Sequence, residues 1–146
     1  MDEDGGVRLR NERVRESFAA INTDPVVFVK DFYEILFRRS PHLRALFPAD
    51  LTAQATKLHG TLLYALGELD YLDRTSTILM AMGAKHADKG VEDAHYPLVA
   101  DALVEALSHA SGVWSAEHAA AWHEVLDAMA RSMIAGAEMQ HITKVG

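Results

Sequence analysis

The sequence predicts an all-α fold, and three observations carry that prediction. Every long run of apolar residues repeats at spacings of three and four. No segment alternates with period two over a useful length. Proline- or glycine-bearing breaks at 22–25, 41–48, 89–90 and 111–112 separate the runs. Six or seven helices of unequal length with short connections follow, with no internal repeat and no low-complexity tract.

The first clear helix is VVFVKDFYEILFRRS, between the NTDP turn and Pro41, with Val29, Phe32, Tyr33, Leu36 and Phe37 on one face. Asp24 suits its N-cap and Pro25 its first position. Pro41 then opens a short turn, PHLRALF, which Pro48 stops. Leu51, Leu58, Leu62, Leu66 and Leu69 set a helix within 50–70. Another covers 75–87 and ends near Lys89-Gly90, where glycine can take the left-handed conformation of a helix end. Residues 94–110 place Val99, Leu103, Ala106 and Leu107 on one side. After Ser111-Gly112, residues 116–139 align Trp122, Leu126, Met129, Met133 and Ala137. Residues 1–8 are expected as an N-terminal tail, 9–140 as the folded domain and 141–146 as a C-terminal tail.

Composition narrows function. A chain of 146 residues, 49% hydrophobic and 24% charged, is one soluble domain with room for a sizeable core. The absence of cysteine excludes disulfides, zinc–thiolate sites, iron–sulfur clusters and thiol nucleophiles. A net charge of -7 argues against nucleic acid and anionic membrane as partners, because phosphate binding needs clustered Lys and Arg. The acidic start MDEDGG is unlike a signal peptide, and the longest uncharged stretch, TSTILMAMGA at 75–84, falls well short of the ~20 residues of a membrane span. A cytoplasmic protein without membrane insertion is expected.

Most candidate chemistry has a plain explanation. No glycine-rich phosphate loop is present. His123-Glu124 starts like a zinc-protease helix, but Asp127 stands where the second histidine belongs. His118 and His123 fall on different helix faces, as solvated residues would. Glu92-Asp93 suits the electropositive start of the next helix, and His95 is expected on its solvent side. His86 differs. It lies four residues after Met82 and seven after Leu79, on the apolar side of the helix that also carries Ile78. An inward histidine is either a core residue bonded to a carbonyl or the single protein ligand of a haem iron.

Three stretches bear on that choice. FYEILFRRSPHLRALFP at 32–48 resembles the second and third helices of bacterial globins, of the flavohaemoglobin and single-domain haemoglobin type. LFPADLTAQATKL at 46–58 resembles their distal segment, and AKHADKGVEDAHYPLV at 84–99 their proximal segment. The motifs stand in the family's order, and the resemblance covers roughly residues 8–140. It implies a globin fold, a three-over-three helical sandwich around a haem pocket, which also suits helices of unequal length better than a four-helix bundle does.

The resemblance implies haem b (iron protoporphyrin IX) as cofactor and His86 as the proximal iron ligand. Phe47 matches the aromatic packed flat on the haem, and Tyr33 the distal tyrosine that donates to a bound gas. Counting back from His86 puts the distal polar position at Gln54 and the apolar one at Leu58, with Lys57 at the pocket mouth toward a propionate. Lys85, Val91, Val99, Leu126 and Met129 are the remaining expected haem neighbours. His59, about 100° round the helix from Leu58, is expected outside the pocket. Tyr96 matches the tyrosine that flavohaemoglobins pair with a glutamate to polarise the proximal histidine. Here the chain departs from the family: Ala137 occupies the glutamate position with Glu138 beside it, and Phe47–Gln54 is about three residues shorter. The implied function is reversible binding of O2 and other diatomic gases such as NO and CO. The alternatives are nitric oxide dioxygenase activity, which calls for a separate reductase as electron donor, and a globin-type sensor.

Overall fold

The computed structural model describes the backbone of residues 3–145 and the side chains of residues 5–71 and 76–142. Among the described residues six helices follow in order: α1 (Glu3–Ala19), α2 (Pro25–Arg39), α3 (Thr52–Gly67), α4 (Leu72–Asp88), α5 (His95–Ala110) and α6 (Ala116–Val145). Short 3-10 turns, Pro41–Leu46 and Leu69–Tyr71, follow α2 and α3. The helical path thus enters both segments read as tails. Among the described residues there is no strand. One antiparallel bridge, Ile21 with Ser111, ties the α1–α2 corner to the α5–α6 corner, reinforced by Gly112 N–H to the Ala20 carbonyl at 2.8 Å. No described helix is long and apolar enough to cross a membrane.

The packing follows from the apolar faces. α2 lies against α5, α4 against α6, and α1 and α5 also rest on α6. The core gathers Phe28, Val29, Phe32, Ile35 and Leu36 from α2, Leu103, Ala106 and Leu107 from α5, and Trp122 and Val125 from α6. Burying each large side chain contributes ~1.5–3 kcal/mol. The Asp24 carboxylate accepts from Val26 N–H at 2.8 Å with Pro25 next in line, the cap expected for α2. Ile78 is 48% exposed while Leu79 is buried, so the inward stripe of α4 runs through Leu79.

α1 enters the fold by a different route. Apart from Val14 and Phe18, its contacts with the core are polar. Asn11, 1% exposed, donates to Asp70 at 3.0 Å. The Ser17 hydroxyl, fully buried, accepts the Trp122 indole N–H at 2.8 Å. Ser17→Ala leaves that indole N–H buried without an acceptor, a loss of ~1–3 kcal/mol. Thermal denaturation should show a midpoint lowered by about 2–4 °C for each kcal/mol.

Two histidines correct the sequence reading. His118 is not a solvated residue: its side chain is 12% exposed, with Nε2–H donating to Glu16 at 2.5 Å and Nδ1 accepting from the Ser115 hydroxyl at 2.7 Å. It clasps the start of α6 to α1, and Trp114 stacks on its ring. His95, 13% exposed, does not point into solvent either. Its Nδ1 accepts the Glu92 N–H at 3.0 Å, closing the corner between α4 and α5.

Candidate functional site

The end of α4 is built by its backbone. Gly90 N–H bonds to the Ala87 carbonyl and Val91 N–H to that of His86, each at 3.0 Å. This is the Schellman pattern, with His86 three positions inside the helix and Gly90 beyond its end. Gly90 takes φ 95°, the left-handed conformation expected for it. A Cβ there would also lie 3.3 Å from the Leu46 side chain at the end of the first 3-10 turn. Gly90→Ala should therefore destabilise the fold by ~1–2 kcal/mol, read as a lower midpoint in urea unfolding.

His86 is half-buried and its Nδ1–H donates to the Met82 carbonyl at 2.7 Å. A carbonyl can only accept, so Nδ1 carries a proton, and in the neutral ring Nε2 keeps its lone pair. Nε2 has no hydrogen-bond partner among the described residues.

α2 supplies Tyr33. The residue is 4% exposed and its ring is stacked on Phe37 at 5.9 Å. Phe47, just after the first 3-10 turn, meets Tyr33 edge-on at 5.6 Å and Phe37 at 5.2 Å. The Tyr33 hydroxyl makes no hydrogen bond within the described chain, yet no fully buried side-chain N or O lacks a partner. The hydroxyl therefore borders open space. Burial pushes its pKa up to about 12, so it remains a donor at any physiological pH.

The spacing of i and i+4 puts Gln54 and Leu58 on one side of α3. Gln54 is half-exposed with its amide unpaired among the described residues, while Leu58 packs against the core. Asp50 accepts from Thr52 N–H at 2.9 Å and starts this helix; the same bond holds its carboxyl below the usual carboxylate range. His59 stacks on Phe18 of α1, ring centroids 6.3 Å apart, outside the Tyr33–Phe47 group. Lys57 and Lys85 are exposed and unpaired. Among the described residues, α3 rests mainly on α2, and α4 on α6.

The remaining expected neighbours are half-buried. Val99, Leu126 and Met129 pack against the core, and Val91 sits in the corner after α4. Met129 also lines a small apolar cavity with Thr61, Tyr64 and Ala65 of α3 and Leu79 and Met82 of α4. Tyr96 is half-buried; burial first, and the charge of Asp93 second, raise its pKa. Ala137 and the exposed Glu138 put no carboxylate on His86, whose Nδ1 is already held by Met82.

The sequence reading missed Arg44. Its guanidinium donates to the carbonyls of Phe47 at 3.3 Å, Pro48 at 2.9 Å and Ala49 at 3.0 Å, and lies 5.3 Å over the Phe37 ring. It fixes the turn that presents Phe47. An arginine three residues before an aromatic-proline pair was the only signal, and it is weak.

The globin family model matches residues 30–133. Leghemoglobin-1 of Vicia faba is 30% identical over 138 residues, 82% of this chain and 91% of that protein. Among solved structures, Pseudomonas aeruginosa PA3967, described as structurally highly homologous to a human hemoglobin, superimposes with TM-score 0.77 at 25% identity. The match covers 88% of this chain and 98% of that one. An engineered carbene transferase from Rhodothermus marinus RmaNOD, provisionally assigned as a nitric oxide dioxygenase, gives TM-score 0.80 at 26% identity, covering 94% and 96%. A family match across most of the chain places this protein in the globin family, whose members bind haem and, through it, diatomic gases such as O2.

Proposed function

We propose that this globin binds O2 reversibly on haem b, with His86 as the proximal iron ligand and Tyr33 and Gln54 as distal donors, within a globin domain spanning 9–140. The observation that carries this reading is the state of His86: Nδ1–H held by a backbone carbonyl, Nε2 without a partner. An imidazole so fixed is oriented to ligate a metal through its free nitrogen.

The residues fit a haem. α4 carries the ligand, α3 and α2 carry the distal residues Gln54 and Tyr33, and half-buried apolar side chains accompany them: Phe47, Leu58, Val99, Leu126 and Met129. Exposed, unpaired Lys57 and Lys85 suit the propionates, and Val91 and Tyr96 would border the proximal side. Bound haem would supply an iron centre able to take a diatomic gas. The hydroxyl of Tyr33 and the amide of Gln54 are unpaired donors for partial negative charge on such a gas. Each is worth more in a water-poor pocket.

The nitric oxide dioxygenase reading is the second one, favoured by the likeness to RmaNOD. The neutral acceptor on His86 weighs against it. A carbonyl raises the electron-donating power of imidazole less than a carboxylate does, and here no carboxylate reaches Nδ1. Turnover would also draw on a separate reductase. The deciding experiment follows ferrous protein through repeated O2 addition and removal, and then nitric oxide uptake with a flavin reductase present. Reversible oxygenation with a single stoichiometric burst of nitric oxide loss supports binding. Sustained consumption over many equivalents would transfer the assignment to the dioxygenase.

A further inference from the structure

α4 and α6 cross backbone to backbone. A Cβ built on Gly83 would lie 1.9 Å from the Met133 carbonyl oxygen, and one on Gly136 would lie 1.9 Å from that of Met80. The arrangement is reciprocal: each helix carries a methionine and, three residues later, a glycine, and the glycine of each meets the backbone of the other helix's methionine. No side chain other than hydrogen fits at either position. α6 is also the helix on which α4 chiefly rests, and one turn beyond the crossing Gln140 of α6 bonds to Asp88 of α4. His86 is less than one turn from Gly83, and its ring is held by the carbonyl of Met82, the residue just before that glycine.

We propose that the Gly83–Gly136 crossing positions His86 toward the haem iron, an inference that rests on the haem-binding reading above. Gly83 and Gly136 are positioning residues: they act through the height of α4 and touch neither cofactor nor gas. Any side chain at the crossing must push the helices apart by about 1 Å or more before its contact with a backbone oxygen becomes tolerable. Metal–ligand bonds hold their length to about 0.2 Å. A displacement of that size therefore strains or breaks the bond to His86.

The test is the iron–histidine stretching band of the ferrous, gas-free, haem-loaded protein, compared between wild type, Gly83→Ala and Gly136→Ala. To keep the variants folded, all are made in a chain carrying Gly6→Ala and Gly60→Ala. Those added methyls meet nothing within 4 Å and raise helix propensity. Both crossing variants should move the band to lower frequency while circular dichroism stays helical. In a His86→Gly background supplied with free imidazole, whose ligand is not tethered to α4, Gly83→Ala should leave the iron–imidazole band in place. An unshifted band in the tethered variants would overturn the proposal, as would an equal shift with untethered imidazole. Loss of folding in both crossing variants would overturn it too, since the crossing would then serve the whole fold. Failure of the unmodified protein to bind haem would instead count against the functional reading.

Discussion

Haem-loaded His86→Gly protein should lose its axial nitrogen and hold haem far more weakly than the native chain. Outer partners of a metal ligand are worth roughly 10–100-fold in affinity, and removing the ligand itself should exceed that. The structure explains why no other residue would take over. His59 is engaged with Phe18 on α1, and His95 accepts the Glu92 N–H at the corner. Free imidazole should restore the ferrous spectrum, since the space left by the side chain is that of the ring. Haem transfer to an acceptor globin measures the loss. An unchanged transfer rate would mean that His86 is not the ligand.

The second large effect belongs to Tyr33. Tyr33→Phe keeps the ring that stacks on Phe37 and meets Phe47, and removes only the unpaired hydroxyl. O2 dissociation should accelerate about 5- to 150-fold, corresponding to a hydrogen bond of ~1–3 kcal/mol. Carbon monoxide release should change far less, because that ligand carries little negative charge. The pH dependence has a definite sign. Burial raises the Tyr33 pKa to about 12, so the donor is present throughout the ordinary range. Its contribution to folding is likewise complete below pH ~10, the unfolded value, and fades as pH rises toward about 12. O2 dissociation that accelerates well below pH 10 would contradict the assignment.

What the sequence made legible depended on how each residue signals itself. α2, α5 and α6 carry broad apolar stripes, and their positions follow from periodicity alone. α1 carries no such stripe. Its anchors are Asn11 and Ser17, which bond to Asp70 and Trp122, and a buried polar pair is invisible until both partners are in place. The same limit explains His118, whose carboxylate partner Glu16 lies 102 residues away in sequence. Gly83 and Gly136 add nothing to a hydrophobic pattern, although their helices could not approach so closely with any other residue. In the candidate site, the periodic pattern turned His86 toward the apolar side of α4, but only the resemblance to bacterial globins joined it to Tyr33, Phe47 and Gln54. The bond from His86 to Met82 and the grip of Arg44 on the turn after Phe47 needed coordinates, because each runs to a backbone carbonyl that every residue has.

The central claim is that His86 ligates a haem iron on the proximal side while Tyr33 and Gln54 leave the opposite side open to a gas. The absorption spectrum of the ferrous protein, loaded with one equivalent of haem and free of gas, tests it most directly. A five-coordinate, high-spin spectrum that converts on O2 addition and returns on its removal is the predicted result. A chain that takes up no haem, or a six-coordinate low-spin spectrum in the absence of gas, would contradict it.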